Sequence, residues 1–400
     1  MKKTLLVAAL TGVFATVAHA QSSVTLYGLL DAGVSYTNNS RTATGVGGSA
    51  VKLSSGLLQG NRWGLKGAED LGGGLKAVFD LESGFTIGTG ALGQGGREFG
   101  RNAYVGLSSD TAGTVTLGRQ NEFMYDYVGH LSLDDFNGTG GTVFNHPLDN
   151  DNTGGTFRVD NSVKYVSTNY NGLTFGGLYG FSNQAGGFAN NRAYSFGANY
   201  NNGPIAAALA YTQLNNSGTP TANAAGGAVD NSTTSGDATL NAQRQRTFGG
   251  GLNYTFGPAN VGFVVTNTQL NNATGFGTGG GSTITSPASV RFTNYEVNAH
   301  YSLTPAVTLG AAYTYTDGHF ANAAGAASPK WNQFSLLSDY ALSKRTDVYG
   351  VATYQRVNGD FAQQGTTLIP AAFQGADTNV GGASASNNQV VLGVGLRTRF

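Results

Sequence analysis

The sequence predicts an all-β protein, a 16-stranded antiparallel transmembrane β-barrel whose third long loop folds inward. Three observations carry this prediction. Apolar residues recur at every second position in many segments, which is the period of a β-strand with two different faces. Short turns alternate with long polar loops along the chain. After the N-terminal segment there is no run of 18 apolar residues, so a membrane could be crossed only by a closed barrel.

The N-terminal segment has the features of a secretory signal peptide. Two lysines, Lys2 and Lys3, precede an apolar run from Leu5 to Val17, and a small-residue cleavage site follows at Ala18-His19-Ala20. The apolar run is too short to favour the rival interpretation, an uncleaved membrane anchor. We therefore expect a signal peptide at residues 1–20 and a single β-barrel domain over residues 21–400.

The alternation is clearest in the C-terminal half of the chain. In the segment 307–315 one face carries apolar side chains and the other carries small or polar ones. The apolar set is Val307, Leu309, Ala311, Tyr313 and Tyr315, and the opposite set is Thr308, Gly310, Ala312 and Thr314. Soluble sandwiches also alternate in this way, so the connections between strands have to decide the architecture.

The connections differ strongly in length on the two sides of the expected sheet. Seven short turns rich in Gly, Pro, Asn and Asp fall near residues 69–73, 109–113, 169–172, 201–204, 257–260, 303–305 and 343–345. Eight long loops fall near 38–57, 87–98, 120–157, 183–190, 215–243, 271–288, 318–330 and 358–387. Seven turns and eight loops join sixteen strands, and this asymmetry is typical of an outer-membrane barrel. Sixteen strands leave an aqueous channel, whereas about eight are filled by their own side chains.

Composition and motifs exclude several other classes of protein. Without residues 1–20 the chain has 20 basic and 22 acidic residues, a balance that argues against a nucleic-acid partner. There is no cysteine and no G-x-S-x-G motif. The two G-x-G-x-x-G matches, at Gly88 and Gly275, begin no helix, so we predict no nucleotide cofactor. We expect neither an enzyme nor a cofactor.

The segment from Asn121 to Phe157 is the longest one without a strand pattern. Such a long connection in a compact domain is usually functional or disordered. It contains no Lys or Arg, although Arg119 precedes it and Arg158 follows it directly. Its acidic residues are Glu122, Asp126, Asp134, Asp135, Asp149 and Asp151. We predict that residues 120–157 form an acidic loop that folds into the lumen and faces a basic wall.

Several stretches spread from end to end resemble one family, the general trimeric porins of Gram-negative outer membranes, most closely the β-proteobacterial type. These stretches are SSVTLYGLLDAGV, NRWGLKGAEDLGGGLKAVFDLESGF, RNAYVGLSSDTAGTVTLGRQ, RVDNSVKY and VGLRTRF. The resemblance implies a homotrimer in the cell outer membrane, in contact with membrane lipid and lipopolysaccharide. It also implies passive diffusion of ions and small hydrophilic solutes through a pore that the third loop narrows.

The resemblance also implies roles for individual residues. Porins of this kind carry a ladder of basic side chains opposite the acidic loop, and the matching positions here are Arg62, Lys66, Arg101 and Arg158. The corresponding acidic candidates are Glu122, Asp126, Asp134 and Asp135. The terminal Phe400 matches the mark by which the outer-membrane assembly machinery recognises the C-terminal strand. The two-residue period of a strand agrees with the assignment of Arg62 and Lys66 to the basic ladder, because it places both side chains on the same face.

Opposed rows of charge tilt ion selectivity only a few-fold, because two unit charges about 10 Å apart interact in water by roughly 0.4 kcal/mol. We therefore expect a general diffusion pore with weak ion preference. A substrate-specific channel and a surface adhesin or receptor barrel remain alternatives. The spacing of Asp149, Asp151 and Asp160 also resembles that of a calcium loop, which leaves a weak possibility of a bound calcium ion.

Overall fold

A computed structural model describes residues 23–42, 46–134, 142–217, 226–229, 240–276, 282–323, 325–359, 372–373 and 382–400. The expected signal peptide at residues 1–20 lies outside these residues. Within the described part, no helix is long and apolar enough to cross a membrane.

The described residues form strands joined by loops and a few short helical turns. The strands are β1 Ser23–Arg41, β2 Gly47–Ser55, β3 Arg62–Gly72, β4 Leu75–Gly84, β5 Asn102–Ser109, β6 Gly113–Gln120, β7 Val159–Val166, β8 Leu173–Gly180, β9 Ala193–Asn202, β10 Ile205–Ser217, β11 Leu240–Phe256, β12 Ala259–Phe276, β13 Ser282–Thr304, β14 Val307–Asn322, β15 Gly325–Ala327, β16 Lys330–Ala341, β17 Thr346–Asn358, β18 Ala372–Phe373, β19 Gly382–Ala383 and β20 Asn388–Arg399. The helical turns are Gln94–Gly96, Met124–Val128, Gly129–Leu131, Thr142–Phe144 and Pro147–Asp149.

These strands make a closed ring of sixteen. Strands β2 and β3 pair in succession with the same edge of β1, so they are one barrel strand interrupted at residues 56–61. The short β15 pairs with the end of β14 and continues the pairing of β16 along the same edge, and β18 and β19 pair with each other. Every neighbouring pair is antiparallel, and β20 closes the ring between β17 and β1. The predicted 16-stranded antiparallel barrel is therefore confirmed.

The final residue continues this closure. The backbone of Phe400 exchanges two hydrogen bonds of 3.1 Å with Gly28 on β1. A closed ring leaves no strand edge unpaired, which is a requirement for sheet surrounded by hydrocarbon.

The two faces of the ring differ as the alternation predicts. On β16 the side chains of Phe334, Leu336 and Tyr340 are exposed, whereas the alternate residues Gln333 and Ser335 are buried. The same pattern runs along β13, where Glu296 and its alternate neighbours are buried and polar. The exposed apolar face is the outside of the barrel and the polar face lines its interior.

Three of the predicted loops are wrong in extent. Most of residues 318–330 belongs to β14, β15 and the start of β16. Most of residues 38–57 belongs to β1 and β2, and most of residues 271–288 belongs to β12 and β13. Both regions are rich in Gly, Ser, Thr and Asn, so alternation gives no signal there. Their backbones are nevertheless paired across the sheet, because a strand that extends past the membrane needs no apolar face.

Candidate pore constriction

The segment between β6 and β7 is here called the inward loop (residues 121–158), and its described residues, 121–134 and 142–158, lie inside the barrel. It begins with the helical turn Met124–Val128, and the side chains of Phe123, Met124 and Val128 are fully buried. They pack against inward-facing residues of β8 to β12 in one apolar cluster. The wall side of that cluster is Leu178, Ala193, Ala208, Ala210, Leu214 and Val264. The first turn of the loop is thus fixed by hydrophobic burial against one side of the barrel.

A buried polar group fixes the middle of the inward loop to β13. The imidazole of His146 lies between two carboxylates, with Nδ1 2.7 Å from Asp151 Oδ2 and Nε2 2.9 Å from Glu296 Oε2. All three side chains are at most 1% exposed. The backbone N–H of Leu133 and the hydroxyl of Ser132 also donate to Glu296, both at 2.8 Å. Glu296 therefore holds two separate parts of the loop.

A third set of contacts fixes the loop to β16 and β17. The side-chain amide of Gln333 donates to the carbonyl of Phe144 at 2.9 Å, and the backbone N–H of Thr142 donates to the carbonyl of Leu58 at 3.0 Å. The ring of Phe144 and the side chain of Val143 are buried in an apolar cluster with β16, β17 and β20. The described part of the inward loop is therefore fixed against strands between β8 and β17, against β20 and against the connection between β2 and β3.

Part of the loop between β10 and β11 also turns inward. Ala228 and Val229 are buried in the same cluster as Phe123. The sequence analysis predicted only a long polar loop near residues 215–243 and did not predict this burial. The loop between β10 and β11 is otherwise polar, so its sequence did not indicate that these two small apolar side chains pack beside the inward loop.

The wall opposite the fixed loop carries the four predicted basic residues. Arg101 donates from Nε to Glu82 Oε1 at 2.5 Å, and the guanidinium groups of Arg62 and Arg158 also act electrostatically on that carboxylate. Lys66 is exposed, pairs in register with Asp80, and has its ammonium 4.9 Å from the centre of the Tyr27 ring. The structure therefore brings Arg62, Lys66, Arg101 and Arg158 to one side of the lumen.

Sequence reasoning missed one basic residue of this wall, Lys164 on β7. Its ammonium donates to Asp126 and, at 2.9 Å, to the carbonyl of Asn121. It lines a cavity of about 280 Å³ together with Tyr104 and Asp126. The motif RVDNSVKY contained the signal, because Lys164 shares its face with Ser162 and both point inward with the period of a strand.

The acidic candidates are placed differently from the prediction. Glu122 is fully buried, and accepts hydrogen bonds from the N–H groups of Met124 and Tyr125 at 2.6 and 3.1 Å and from Asn152 Nδ2 at 2.9 Å. Asp134 is 4% exposed, and within the described residues its carboxyl oxygens have no hydrogen-bond partner. Asp126 is the partly exposed one of these three, and Asp135 lies outside the described residues.

These positions correct the expectation of an acidic face turned toward the lumen. Carboxylates such as those of Glu122 and Asp149 accept hydrogen bonds from the backbone of the enclosed loop, which would otherwise have unpaired N–H groups. The loop is rich in Asp and Glu largely because its enclosed backbone N–H groups need hydrogen-bond acceptors. Most of the carboxylates described in it do not face the lumen.

The three residues of the calcium-like spacing have separate partners. Asp149 accepts from the N–H groups of Gly154 and Thr156 at 3.0 Å, Asp151 bonds His146, and Asp160 accepts from Arg119 at 2.6 Å. In the part of the chain that the structure describes, no three His, Asp or Glu side chains are grouped to hold a metal ion.

Burial shifts the protonation of the loop acids. It raises the pKa of Asp149 to about 6, with the charge of Asp151 adding to the effect, and raises the pKa of Asp134 well above its usual range. Burial alone would lower the pKa of His146, but the adjacent Asp151 and Glu296 outweigh it and raise that pKa well above its usual value. Burial would likewise raise the pKa of Asp151, yet the imidazolium lowers it to about 2. At neutral pH the imidazolium of His146 therefore lies between the carboxylates of Asp151 and Glu296.

A closed ring of sixteen strands, apolar outside and polar inside, with a loop packed into its lumen, defines the class of outer-membrane channel proteins. The comparisons with known proteins are consistent with that class. The model of the Gram-negative porin family matches residues 5–360, and this chain belongs to that family. It is located in the cell outer membrane and forms a channel for passive diffusion of small solutes.

Two relatives illustrate the similarity in sequence. An outer membrane porin protein of Bordetella pertussis is 35% identical over 89% of this chain and 94% of its own length. The outer membrane porin protein 32 of Delftia acidovorans is 28% identical over the full length of both.

Solved structures agree on the fold. The anion-selective porin from Comamonas acidovorans superposes with a TM-score of 0.66 at 25% identity, covering 95% of this chain and all of that one. OmpF of Salmonella typhi, solved in complex with daunomycin, has a TM-score of 0.59 at 17% identity and covers 96% of this chain and 99% of its own.

Proposed function

We propose that solutes pass between the inward loop and the wall of β3 to β7, and that this passage prefers anions. The observation that carries the proposal is an imbalance of charge. We define the charged wall as the basic residues Arg62, Lys66, Arg101, Arg158 and Lys164 with the acidic residues Asp80, Glu82 and Asp126. Basic side chains outnumber acidic ones in this set, and Glu122 and Asp134 of the facing loop are buried.

Electrostatics supports a modest preference for anions. Arginine stays charged in any pore, because its pKa exceeds about 12. A single fixed charge about 6 Å from a permeating ion contributes about 0.7 kcal/mol in water, which corresponds to roughly a threefold change in permeability. The similar porin from Comamonas acidovorans is described as anion-selective, which agrees in sign.

The same proposal extends to assembly and excludes catalysis. We propose a homotrimer that contacts outer-membrane lipid and lipopolysaccharide. The outer-membrane assembly machinery would recognise its C-terminal strand through Phe400. The protein is proposed as a channel and not as an enzyme, and its family relatives are porins.

Reversal potentials in a salt gradient across a planar bilayer test the anion preference. The wild-type channel should prefer chloride over potassium by a few-fold. Lys66→Gln should lower that ratio by about threefold, because the opposite effects on the two ions add while salt screening roughly halves each of them. Lys344→Gln is the matched control, since Lys344 is exposed in the short turn between β16 and β17. A wild-type preference for potassium, or equal ratios for the Lys66 and Lys344 variants, would overturn the proposal.

A further inference from the structure

A polar cavity lies in the wall of the lumen, between strands β5 to β7 and the start of the inward loop. It has a volume of about 280 Å³. Tyr104 on β5, Thr116 on β6 and Lys164 on β7 line its wall side, and Asp126 lines its loop side. Thr114, close to the short turn between β5 and β6, also lines it. The cavity therefore extends toward the side of the barrel that carries the short turns.

Hydrogen bonds between neighbouring strands hold the polar lining of this cavity in place. The side chain of Gln120 accepts from Thr116 Oγ1 at 2.6 Å and donates to Ser162 Oγ at 3.1 Å. The hydroxyl groups of Ser108 and Thr114 lie 2.8 Å apart. Side chains fixed in this way lose little conformational freedom when a solute binds, so this part of the wall is preformed.

The two charged groups of the cavity neutralise each other. Lys164 and Asp126 are the charged residues of its described lining. The ammonium of Lys164 donates to Asp126 and, at 2.9 Å, to the carbonyl of Asn121, and it lies 4.9 Å from the centre of the Phe123 ring. A solute with net charge gains little Coulomb energy from such a pair, and a zwitterion would lose hydration at both of its charges.

Several hydrogen-bonding groups of the lining are left for a solute. Within the described residues, the hydroxyl of Tyr104 and Oδ1 of Asp126 form no hydrogen bond. Asn102 donates from Nδ2 to Asp80 Oδ2 at 3.1 Å, which leaves its Oδ1 as an acceptor. Asn121 also lines the cavity, and its buried Oδ1 has no partner in the described part of the chain. An acceptor in that state costs free energy until a donor reaches it, so the lining suits a solute rich in hydroxyl groups.

The size of the cavity limits the solute that it can hold. At about 30 Å³ for each water molecule, the cavity has room for about nine waters. That space accommodates a monosaccharide but not a disaccharide. The ring of Tyr104 adds an apolar surface against which the C–H groups of a sugar can pack.

We infer that this cavity is a weak binding site for uncharged polyhydroxylated solutes of monosaccharide size. Hydroxyl groups of the solute donate to Asp126 Oδ1 and Asn102 Oδ1, and they accept from Tyr104 and Lys164. A site in a channel must release its solute, so we expect half-saturation at millimolar concentration or above. The inference rests on the proposed passage beside β3 to β7, but it concerns an uncharged solute and does not require that passage to prefer anions.

Current recordings from the full-length protein in a planar bilayer test the inference. With rising concentration of D-glucose the wild-type current should fall along a saturable curve, whereas sucrose should lower it only in proportion to viscosity. Tyr104→Phe removes one hydroxyl group and should raise the half-saturating glucose concentration about fivefold, the effect of one hydrogen bond. Val166→Phe fills the cavity without a change of charge and should abolish saturation.

A matched control and a second solute make the test specific. Tyr340→Phe removes the same group from a side chain exposed on the outside of β16, and it should leave glucose saturation unchanged. A wild-type current that never saturates would overturn the inference, as would unaltered saturation in Tyr104→Phe or in Val166→Phe. Equal weakening by Tyr340→Phe, or tighter binding of the zwitterion serine than of glucose, would also overturn it.

Reversal potentials of the same channels separate this inference from the proposed ion preference. Glucose saturation in a wild-type channel without preference for chloride would refute the selectivity and support the cavity site. A chloride preference without glucose saturation would refute the site and leave the selectivity intact.

Discussion

Replacing His146 with alanine should loosen the inward loop while the barrel stays intact. The substitution removes the imidazole that lies 2.7 Å from Asp151 and 2.9 Å from Glu296. Both carboxylates then remain buried without their counter-charge. Breaking a buried ion pair by removing one partner costs about 3–5 kcal/mol. The cost falls on the loop and not on the sheet, since backbone pairing of β13 with β12 and β14 is unaffected.

Amide hydrogen exchange measures this loosening directly. The N–H of Leu133 donates to Glu296 at 2.8 Å, so it exchanges only when the loop opens. A loss of about 3 kcal/mol raises the open population by roughly 150-fold, and exchange of Leu133 should accelerate by that factor. Amides within β16 should exchange at the wild-type rate. Single-channel recordings should show more current noise, because the loop moves within the lumen.

Two variants separate the charge from the histidine itself. His319→Ala is the matched control, since the partly exposed His319 bonds only the Ser328 hydroxyl, at 3.2 Å, among the hydrogen bonds described for it. His146→Gln keeps one hydrogen bond without charge and should fall between the wild type and the alanine variant. If Leu133 in His146→Ala exchanged at the wild-type rate, the imidazolium would not hold the loop and the reasoning would be refuted.

Three further predictions concern the same loop and the closure of the ring. Asp151, whose pKa falls to about 2 from an unfolded value near 3.8, adds stability above pH 3.8 that is lost as the pH falls through about 2. Protonation of Asp149, whose pKa is raised to about 6, favours the folded loop as the pH falls. Channel noise should therefore not rise between pH 7 and about pH 4 and should rise below about pH 3; noise that rises already near pH 5 would contradict this. Phe123→Ala removes a fully buried ring and should destabilise the loop by about 3–5 kcal/mol, as measured by loop amide exchange, whereas the exposed Phe188→Ala should have no effect. Gly28→Val puts a Cβ into the space of the Phe400 ring and should lower the yield of folded barrel in a heat-modifiability gel; a normal yield would argue against this contact in ring closure.

The strand pattern of the barrel can be predicted from local sequence. A strand between lipid and water must alternate apolar and polar side chains. The types of residues two positions apart therefore predict the two faces of β14 and β16. The same rule places Arg62 and Lys66 on the inward face. Strand ends beyond the membrane follow no such rule, and the extension of β1 and β2 into the expected loop is therefore not predicted.

The candidate site is only partly predictable. Its basic wall follows from strand period and from resemblance to the porin family, whereas the role of the loop acids does not. Local sequence predicts lumen charges at Glu122 and Asp134, because a polar loop without strand pattern is usually solvated. In the folded barrel the loop is enclosed, so both side chains are buried and the loop's backbone donors need acceptors.

By itself the sequence determined the closed sheet of sixteen strands and the membership of the porin family, because both depend on patterns a few residues long. Only the tertiary structure decided what holds the loop and where the free charge lies. His146 and Glu296 are 150 positions apart in sequence, although their side chains lie 2.9 Å apart. A contact of that kind arises when the ring closes and brings β13 against the loop, and no local pattern in either segment records it.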